Sequence, residues 1–353
     1  MGNSNNRIRV AIVAGGDSGE YQISMRSGEQ VFAQIDRSRF TPYLIEIRGG
    51  AWVYRKDGKE FPVDKNDFSL EIDGNRIRFD IVFNAIHGTP GENGKLQGYL
   101  DMLKIPYTSC DVMTSSLSFN KAFCKSVVAR SGILTARSVH LYKRQGEKVE
   151  WILDSIGVPC FVKPNNGGSS VGMAKVTVAD QFPEALEKAF REDDEVLVEE
   201  FIEGRELTCG VLRTEGEVVA LPVCEIVSKK EFFDYEAKYT KGMADELVPA
   251  PVSPEVSDEC RRISRLLYDL LNCKGIVRFD YIFSKDAFYF LEVNTVPGLT
   301  EASIVPKMIR VYGWSYTELV TRLIEEVILA PKFPFAPQSP VTPKSPEGDL
   351  LPL

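Results

Sequence analysis

Residues 8–14, IRVAIVA, form a short, mostly apolar run rich in β-branched side chains, and it stops at Gly15-Gly16. A run like this is read as a buried parallel strand leaving into a tight turn. A helical pattern follows over 21–35, then TPYLIEI as a second strand. The segment FDIVFNAIHG reads as a further strand, ending in the glycine-rich loop GTPGENGKLQG. Strands alternating with helices predict an α/β domain over about the first 110 residues.

The pattern continues downstream. SFNKAFCKSVVARSGI opens a helix for which Ser118 is the expected cap. Next come a helix end, a strand, a Gly/Ser/Asn loop and another strand in WILDSIGVPCFVKPNNGGSSVGMAKVTV. EVLVEEFI reads as a strand bounded by Gly204, and GVLRTEGEVVALPVCEI as a hairpin turning at Glu215-Gly216. A polar, aromatic loop leads to the helix VSDECRRISRLLYDLL. Two adjacent strands, GIVRFDYIF and AFYFLEVN, are joined by SKDA, and a last helix covers 316–329. Residues 331–353 hold seven prolines and are expected to be a disordered or loosely docked tail.

Composition narrows the function. The 353 residues carry 42 basic and 50 acidic side chains, a formal charge of -8. That balance excludes a general nucleic-acid binder, which needs a basic surface. A local group of Lys and Arg can still hold a phosphate in an acidic chain. No apolar stretch is long enough to span a bilayer, and the polar start MGNSNN is unlike a secretory signal, so the chain is expected in the cytoplasm, off the membrane. The seven cysteines are scattered without a CxxC pair, which predicts reduced thiols rather than a zinc site or disulfide framework. With only two histidines, His87 and His140, a His-rich metal site is excluded.

The most informative segments are VRFDYIF and FYFLEVN. Residues two apart on a strand face the same side, so Arg278 and Asp280 project together, as do Glu292 and Asn294. Two carboxylates and an amide oxygen suit Mg²⁺, which completes its shell with phosphate and water. The bland alternative is a solvated sheet face of alternating polar residues, and the apolar residues alternating cleanly on the other face count against it. Upstream, Lys163 ends a strand before a loop holding Gly167, Gly168 and Gly172, where backbone N–H groups and an ammonium could meet phosphate oxygens. A plain flexible turn would look the same. The loop is not a Walker pattern, because its lysine precedes the glycines. AGGDSGE also fails as a dinucleotide fingerprint, since GxGxxG spacing is absent.

In order along residues 8–329 stand AGGDSGEYQIS, NAIHGTPGENGKLQG, FVKPNNGGSSVGM, VEEFIEGRELT, DYEAKY, VRFDY and LEVNTVPGLTEAS. Through these seven motifs the chain resembles the D-alanine–D-alanine ligases of the ATP-grasp superfamily. The resemblance implies an α/β ATP-grasp fold of three α/β domains with ATP between the central and C-terminal ones. It divides the chain into an N-terminal Rossmann-like domain at 1–109, a central subdomain at 110–199, a C-terminal subdomain at 200–330 and the tail at 331–353.

The resemblance also implies roles. Lys121 and Lys163 would contact ATP phosphates, with Lys238 as a further nucleotide contact. Glu199 and the backbone of Glu200 and Ile202 would meet the adenine, and Glu206 the ribose. Asp280, Glu292 and Asn294 would hold two Mg²⁺ ions, with Mn²⁺ as a substitute. Glu20 would bind the ammonium of the first D-alanine with His87 nearby, and Ser169 and Tyr239 would close the site through a link to Glu20. Lys238 and Ser303 would serve the second D-alanine's carboxylate or the transferred phosphate. Arg278 and the backbone at Gly298 would face the developing oxyanion. The loop at 232–246 would act as a lid. The family is commonly dimeric, its partner a small molecule, D-alanine. A D-alanine–D-lactate ligase and another ATP-grasp carboxylate–amine ligase are the alternatives, though DYEAKY resembles the dipeptide-forming type. Ala302 departs from members with a histidine there.

Overall fold

The computed structural model describes residues 7–143, 149–168, 171–228 and 244–329. The proline-rich segment 331–353 and residues 232–243 of the expected lid lie outside the described residues. Strand Ile8–Gly15 pairs in parallel with Phe40–Arg48 on one side and Ile81–Asn84 on the other. Val10 to Ala14 are wholly buried, as a continuous apolar run in a covered parallel sheet should be. Helix Tyr21–Gln34 lies so close on this sheet that a Cβ at Gly28 would fall 2.6 Å from that of Ala14.

Beyond Phe40–Arg48 the sheet continues as an antiparallel meander, Ala51–Lys56, Lys59–Asp64, Ser69–Ile72 and Asn75–Ile77. Apolar patterning did not predict these strands, because they are short and half-exposed. Their turns, Asp57-Gly58 and Asp73-Gly74, have both residues in the left-handed region, as two-residue hairpins require.

Two further sheets follow among the described residues. One has the order Ala174–Val176, Cys160–Pro164, Glu195–Glu200, Ser138–Tyr142. The other runs Ala244–Leu247, Cys224–Ser228, Arg205–Thr214, Ile276–Ser284, Ala287–Asn294, Leu134–Thr135, with Glu217–Ala220 also paired to Arg205–Thr214. The expected cap at Ser118 is corrected. Ser118 Oγ donates to Ser115 O inside the preceding helix Val112–Phe119, and helix Lys121–Ala129 is capped by Asn120, whose Oδ1 accepts from Phe123 N at 3.1 Å.

Strands Ile276–Ser284 and Ala287–Asn294 form the predicted hairpin, turning at Lys285-Asp286 with φ of 48° and 61°. Their register sets Arg278 opposite Asn294 and Asp280 opposite Glu292. The alternation is not clean, however. A bulge between these pairs and Tyr281–Phe290 lets Phe290 join Tyr281 in the core while Glu292 stays with Asp280.

One hydrophobic core spans the first and last sheets. It joins Val10, Ile12 and Val31 to Leu212, Ile276, Met308 and Leu323. The four-stranded sheet has a separate core containing Val162, Phe182 and Val198. All seven cysteines are free and buried, as expected. No described helix is long and apolar enough to cross a membrane. Leu323, on helix Tyr316–Leu329, sits within the shared core. Leu323→Ala should therefore lower unfolding stability by about 2–5 kcal/mol in denaturant titration. The first and last sheets should lose structure in one transition.

Candidate active site

A cavity of about 1890 Å³ opens where the three sheets meet. It is lined by all fourteen site residues expected from sequence that fall among the described residues: Glu20, His87, Lys121, Lys163, Glu199, Glu200, Ile202, Glu206, Arg278, Asp280, Glu292, Asn294, Gly298 and Ser303. Ser169, Lys238 and Tyr239 lie outside the described residues.

The hairpin face is organised around Asp280, which is buried. Arg278 grips it with a fork, Nε to Oδ1 and Nη2 to Oδ2, both at 2.8 Å. Thr208 Oγ1 donates to Oδ1 at 2.5 Å and Asn294 Nδ2 to Oδ2 at 3.0 Å. Burial opposes the charge on Arg278, but Asp280, Glu292 and Glu206 outweigh it and hold the guanidinium above its ordinary pKa. Among the described residues no three His, Cys, Asp or Glu side chains are arranged to hold a metal alone. The face instead offers two carboxylates and an amide, a set that fits a hard cation sharing its shell with phosphate oxygens. Asp280 would have to exchange some of its present donors for the cation.

Facing the hairpin are the cations. Lys121 Nζ donates to Gly167 O and stands 3.8 Å from Glu292 Oε2, so it spans from the glycine loop to the hairpin. Lys163 Nζ donates to Glu199 Oε2 at 2.6 Å, deep in the cavity wall. Glu199 Oε1 pairs with Lys125, a residue not expected at the site. Lys125 follows Lys121 by four residues on one helix, and that spacing was the available signal. Burial, with Lys163 beside it, pushes the Lys125 ammonium well below the usual lysine range. Glu200 receives Arg137 Nε at 2.7 Å and turns outward to the Arg137 backbone.

At the cavity's other end, Glu20 precedes helix Tyr21–Gln34. A Cβ at Gly168 would approach Glu20 Oε2 to 3.1 Å, so the glycine loop leans directly on this carboxylate. Ser303, the cap residue of helix Ile304–Tyr312, shares a hydrogen bond with Thr300 Oγ1 at 2.8 Å and crowds Gly298, where a Cβ would meet Ser303 Oγ at 2.8 Å.

His87 is buried with both ring nitrogens engaged. Nδ1 lies 2.7 Å from Val296 O and must donate to it, so Nε2 accepts from Ser27 Oγ at 3.0 Å. Burial lowers its pKa, with Glu20 opposing, and keeps the ring neutral. Glu92, also missed from sequence, completes the clamp. It accepts from Gly88 N at 2.7 Å and Val296 N at 3.1 Å. Both polar groups of the Val296 peptide are thus held by the loop following Asn84. The signal was the lone carboxylate of GTPGENG.

Burial, and then the negative charge of Glu20, push Glu92 up to about 7, against the two backbone donors that favour its charge. A carboxyl raised in this way binds its proton more tightly folded than unfolded, so stability falls as pH rises from its ordinary value through 7. Wild type should therefore lose up to ~3 kcal/mol relative to Glu92→Gln between pH 4.5 and 7.5, measured as paired urea midpoints across that range.

Comparison with known proteins agrees with this geometry. Residues 9–110 match the family model for the D-ala D-ala ligase N-terminus and 128–325 that for the D-ala D-ala ligase C-terminus. The D-alanine--D-alanine ligase of Azobacteroides pseudotrichonymphae is 47% identical over 321 residues, 90% of this chain and 99% of that protein. That of Porphyromonas gingivalis is 43% identical over 320 residues, 90% of this chain and 97% of its own. Among solved structures, VanG D-Ala:D-Ser ligase from Enterococcus faecalis superposes with a TM-score of 0.82 at 31% identity, covering 90% of this chain and 99% of that one. Bacillus anthracis D-alanine--D-alanine ligase complexed with ATP gives 0.74 at 28% identity, covering 91% and 98%.

Proposed function

The chain belongs to the D-alanine–D-alanine ligase family, with its ATP-grasp fold, and on that premise we propose that it joins two D-alanine molecules with cleavage of ATP to ADP and phosphate. The dipeptide would supply peptidoglycan precursor synthesis, in the cytoplasm. The observation carrying this reading is that Glu20, Lys121 and the Arg278–Asp280–Glu292–Asn294 face converge on one cavity.

A carboxylate is a poor acyl donor, so the first D-alanine takes the γ-phosphoryl group of ATP and becomes an acyl phosphate. The amine of the second D-alanine attacks its carbonyl, and phosphate leaves from the tetrahedral intermediate as the amine loses a proton. Positioning and charge neutralisation do most of such work. Glu20 holds the first D-alanine's ammonium, within reach of the glycine loop that leans on it. Lys121 and Lys163 take phosphate charge, and Arg278 with the Gly298 backbone faces the oxyanion. Ser303 and Lys238 would receive the second D-alanine's carboxylate or the transferred phosphate, and Ser169 and Tyr239 would help close the site through a link to Glu20. Glu199 and the backbone of Glu200 and Ile202 hold the adenine, and Glu206 the ribose. Asp280, Glu292 and Asn294 would hold Mg²⁺, which neutralises phosphate charge when bound.

Release of ADP should depend on D-alanine, and L-alanine should not replace it. D-Serine and D-lactate, offered as second substrates, should give less product than D-alanine. Turnover of ATP indifferent to D-alanine would sink the assignment. Glu292→Gln should lower kcat by roughly 10²-fold or more, with an unchanged thermal midpoint. Full activity in that variant would remove Glu292 from the metal set.

A further inference from the structure

Lys125 has no part in the phosphoryl chemistry above, yet it is a lysine only 3% exposed. Lysines are almost never buried so deeply without a partner that requires them. Its partner is Glu199 Oε1, while the other oxygen of the same carboxylate accepts from Lys163 at 2.6 Å. The two lysines come from different elements, helix Lys121–Ala129 and strand Cys160–Pro164. Each therefore holds one oxygen of Glu199 from its own side, Lys163 by a hydrogen bond and Lys125 by an ion pair, and the carboxylate cannot turn without losing one of them.

The surroundings of Glu199 are those of a flat, heteroaromatic ligand. Phe161 stands directly opposite Glu199 in the sheet register, and Phe201 is two residues beyond it. Their rings lie 5.9 Å apart, with Lys175 Nζ 4.3 Å from the centre of the Phe201 ring. All line the cavity. A carboxylate oxygen has two lone-pair directions, so the Lys163 N–H on Oε2 and the Lys125 ion pair at Oε1 leave capacity toward the cavity. An ionised carboxylate can only accept. The Lys125 amine carries N–H bonds whether charged or neutral, so in either state it faces Oε1 as a donor and not as a second acceptor.

We propose that Lys125 is a specificity-determining positioning residue: by fixing Glu199 as an acceptor at the base end of the cavity, it makes the site favour a purine with a 6-amino donor over one with a 6-oxo acceptor. The inference rests on the ATP reading above. A 6-oxo purine would set acceptor against acceptor in a buried place, the arrangement by which hydrogen-bonding sites reject near-isosteres. Without Lys125, Glu199 keeps one lysine and is free to turn or to take up a proton, and a protonated carboxyl can donate to a 6-oxo group.

The test compares ATP with ITP, which share ribose and phosphates, in the full chain with Mg²⁺ and D-alanine. Equilibrium binding of both nucleotides is measured beside kcat/KM. Wild type should prefer ATP. In K125M the ATP:ITP preference should fall roughly 10- to 100-fold, mainly through KM for the nucleotide, with KM for D-alanine unchanged. K125Q, whose amide still offers an N–H toward Oε1, should retain more of the preference. K125T, too short to reach Glu199, provides a second test should K125M not fold. An unchanged ATP:ITP ratio in K125M or K125T, with both nucleotides weakened equally, would reduce Lys125 to a structural role and overturn the inference. So would a wild type that does not discriminate. Failure of the ligase reading would show separately, as ADP release without dependence on D-alanine, while the binding ratio still reports on Lys125.

Discussion

The fork from Arg278 to Asp280 is the contact on which the rest of the site depends. A carboxylate this buried survives only if its charge is answered in place, and Asp280 is answered on both oxygens by Arg278, Thr208 and Asn294. Those donors come from three strands of one sheet, so the sheet's register is also the site's geometry. The bulge beside Asp280 has the same origin. It lets Tyr281 and Phe290 seal the core behind the hairpin without turning Glu292 away from the cavity.

Opposite this rigid face the cavity is walled by a sheet with its own core. The first and last sheets share buried side chains and are tied at the Val296 peptide by His87 and Glu92. The four-stranded sheet shares no such core with them. Its contacts with helix Lys121–Ala129 are local, and they include the Phe123 ring edge-on to His140. Glu195 Oε2 accepts from Asn120, and Lys125 reaches Glu199 from the helix that also carries Lys121. Apolar packing, with the hydrogen bonds at Val296, fixes the distance between Glu20 and the hairpin, whereas mainly ionic and hydrogen-bonded contacts fix the glycine loop relative to both.

What could be read from sequence follows from this division. The buried strands announced themselves because a covered parallel strand must be apolar, and the hairpin face was visible because period-two spacing places Arg278 with Asp280 and Glu292 with Asn294. The meander at 51–77 did not register through hydrophobicity, since its strands are half in water. Its Asp-Gly turns carried the information instead. The capping error at Ser118 arose because serine and asparagine are equally good caps. Only the break after Phe119 chooses Asn120.

Lys125 and Glu92 were only faintly legible, for a different reason. A charged side chain in a helix or loop is most often solvated, so its identity says nothing of burial until the opposing surface is known. For Lys125 that surface is Glu199, 74 residues away in sequence; for Glu92 it is the Val296 N–H, 204 away. Both pairs join segments that become neighbours only when separate sheets meet around the cavity. A lysine deep in the wall beside Glu199 does more than neutralise charge. With Lys163 it holds both oxygens of one carboxylate against rotation, so this end of the cavity presents a fixed acceptor before any ligand arrives. Preorganisation of this kind converts a non-specific negative charge into a test of which atom the ligand offers.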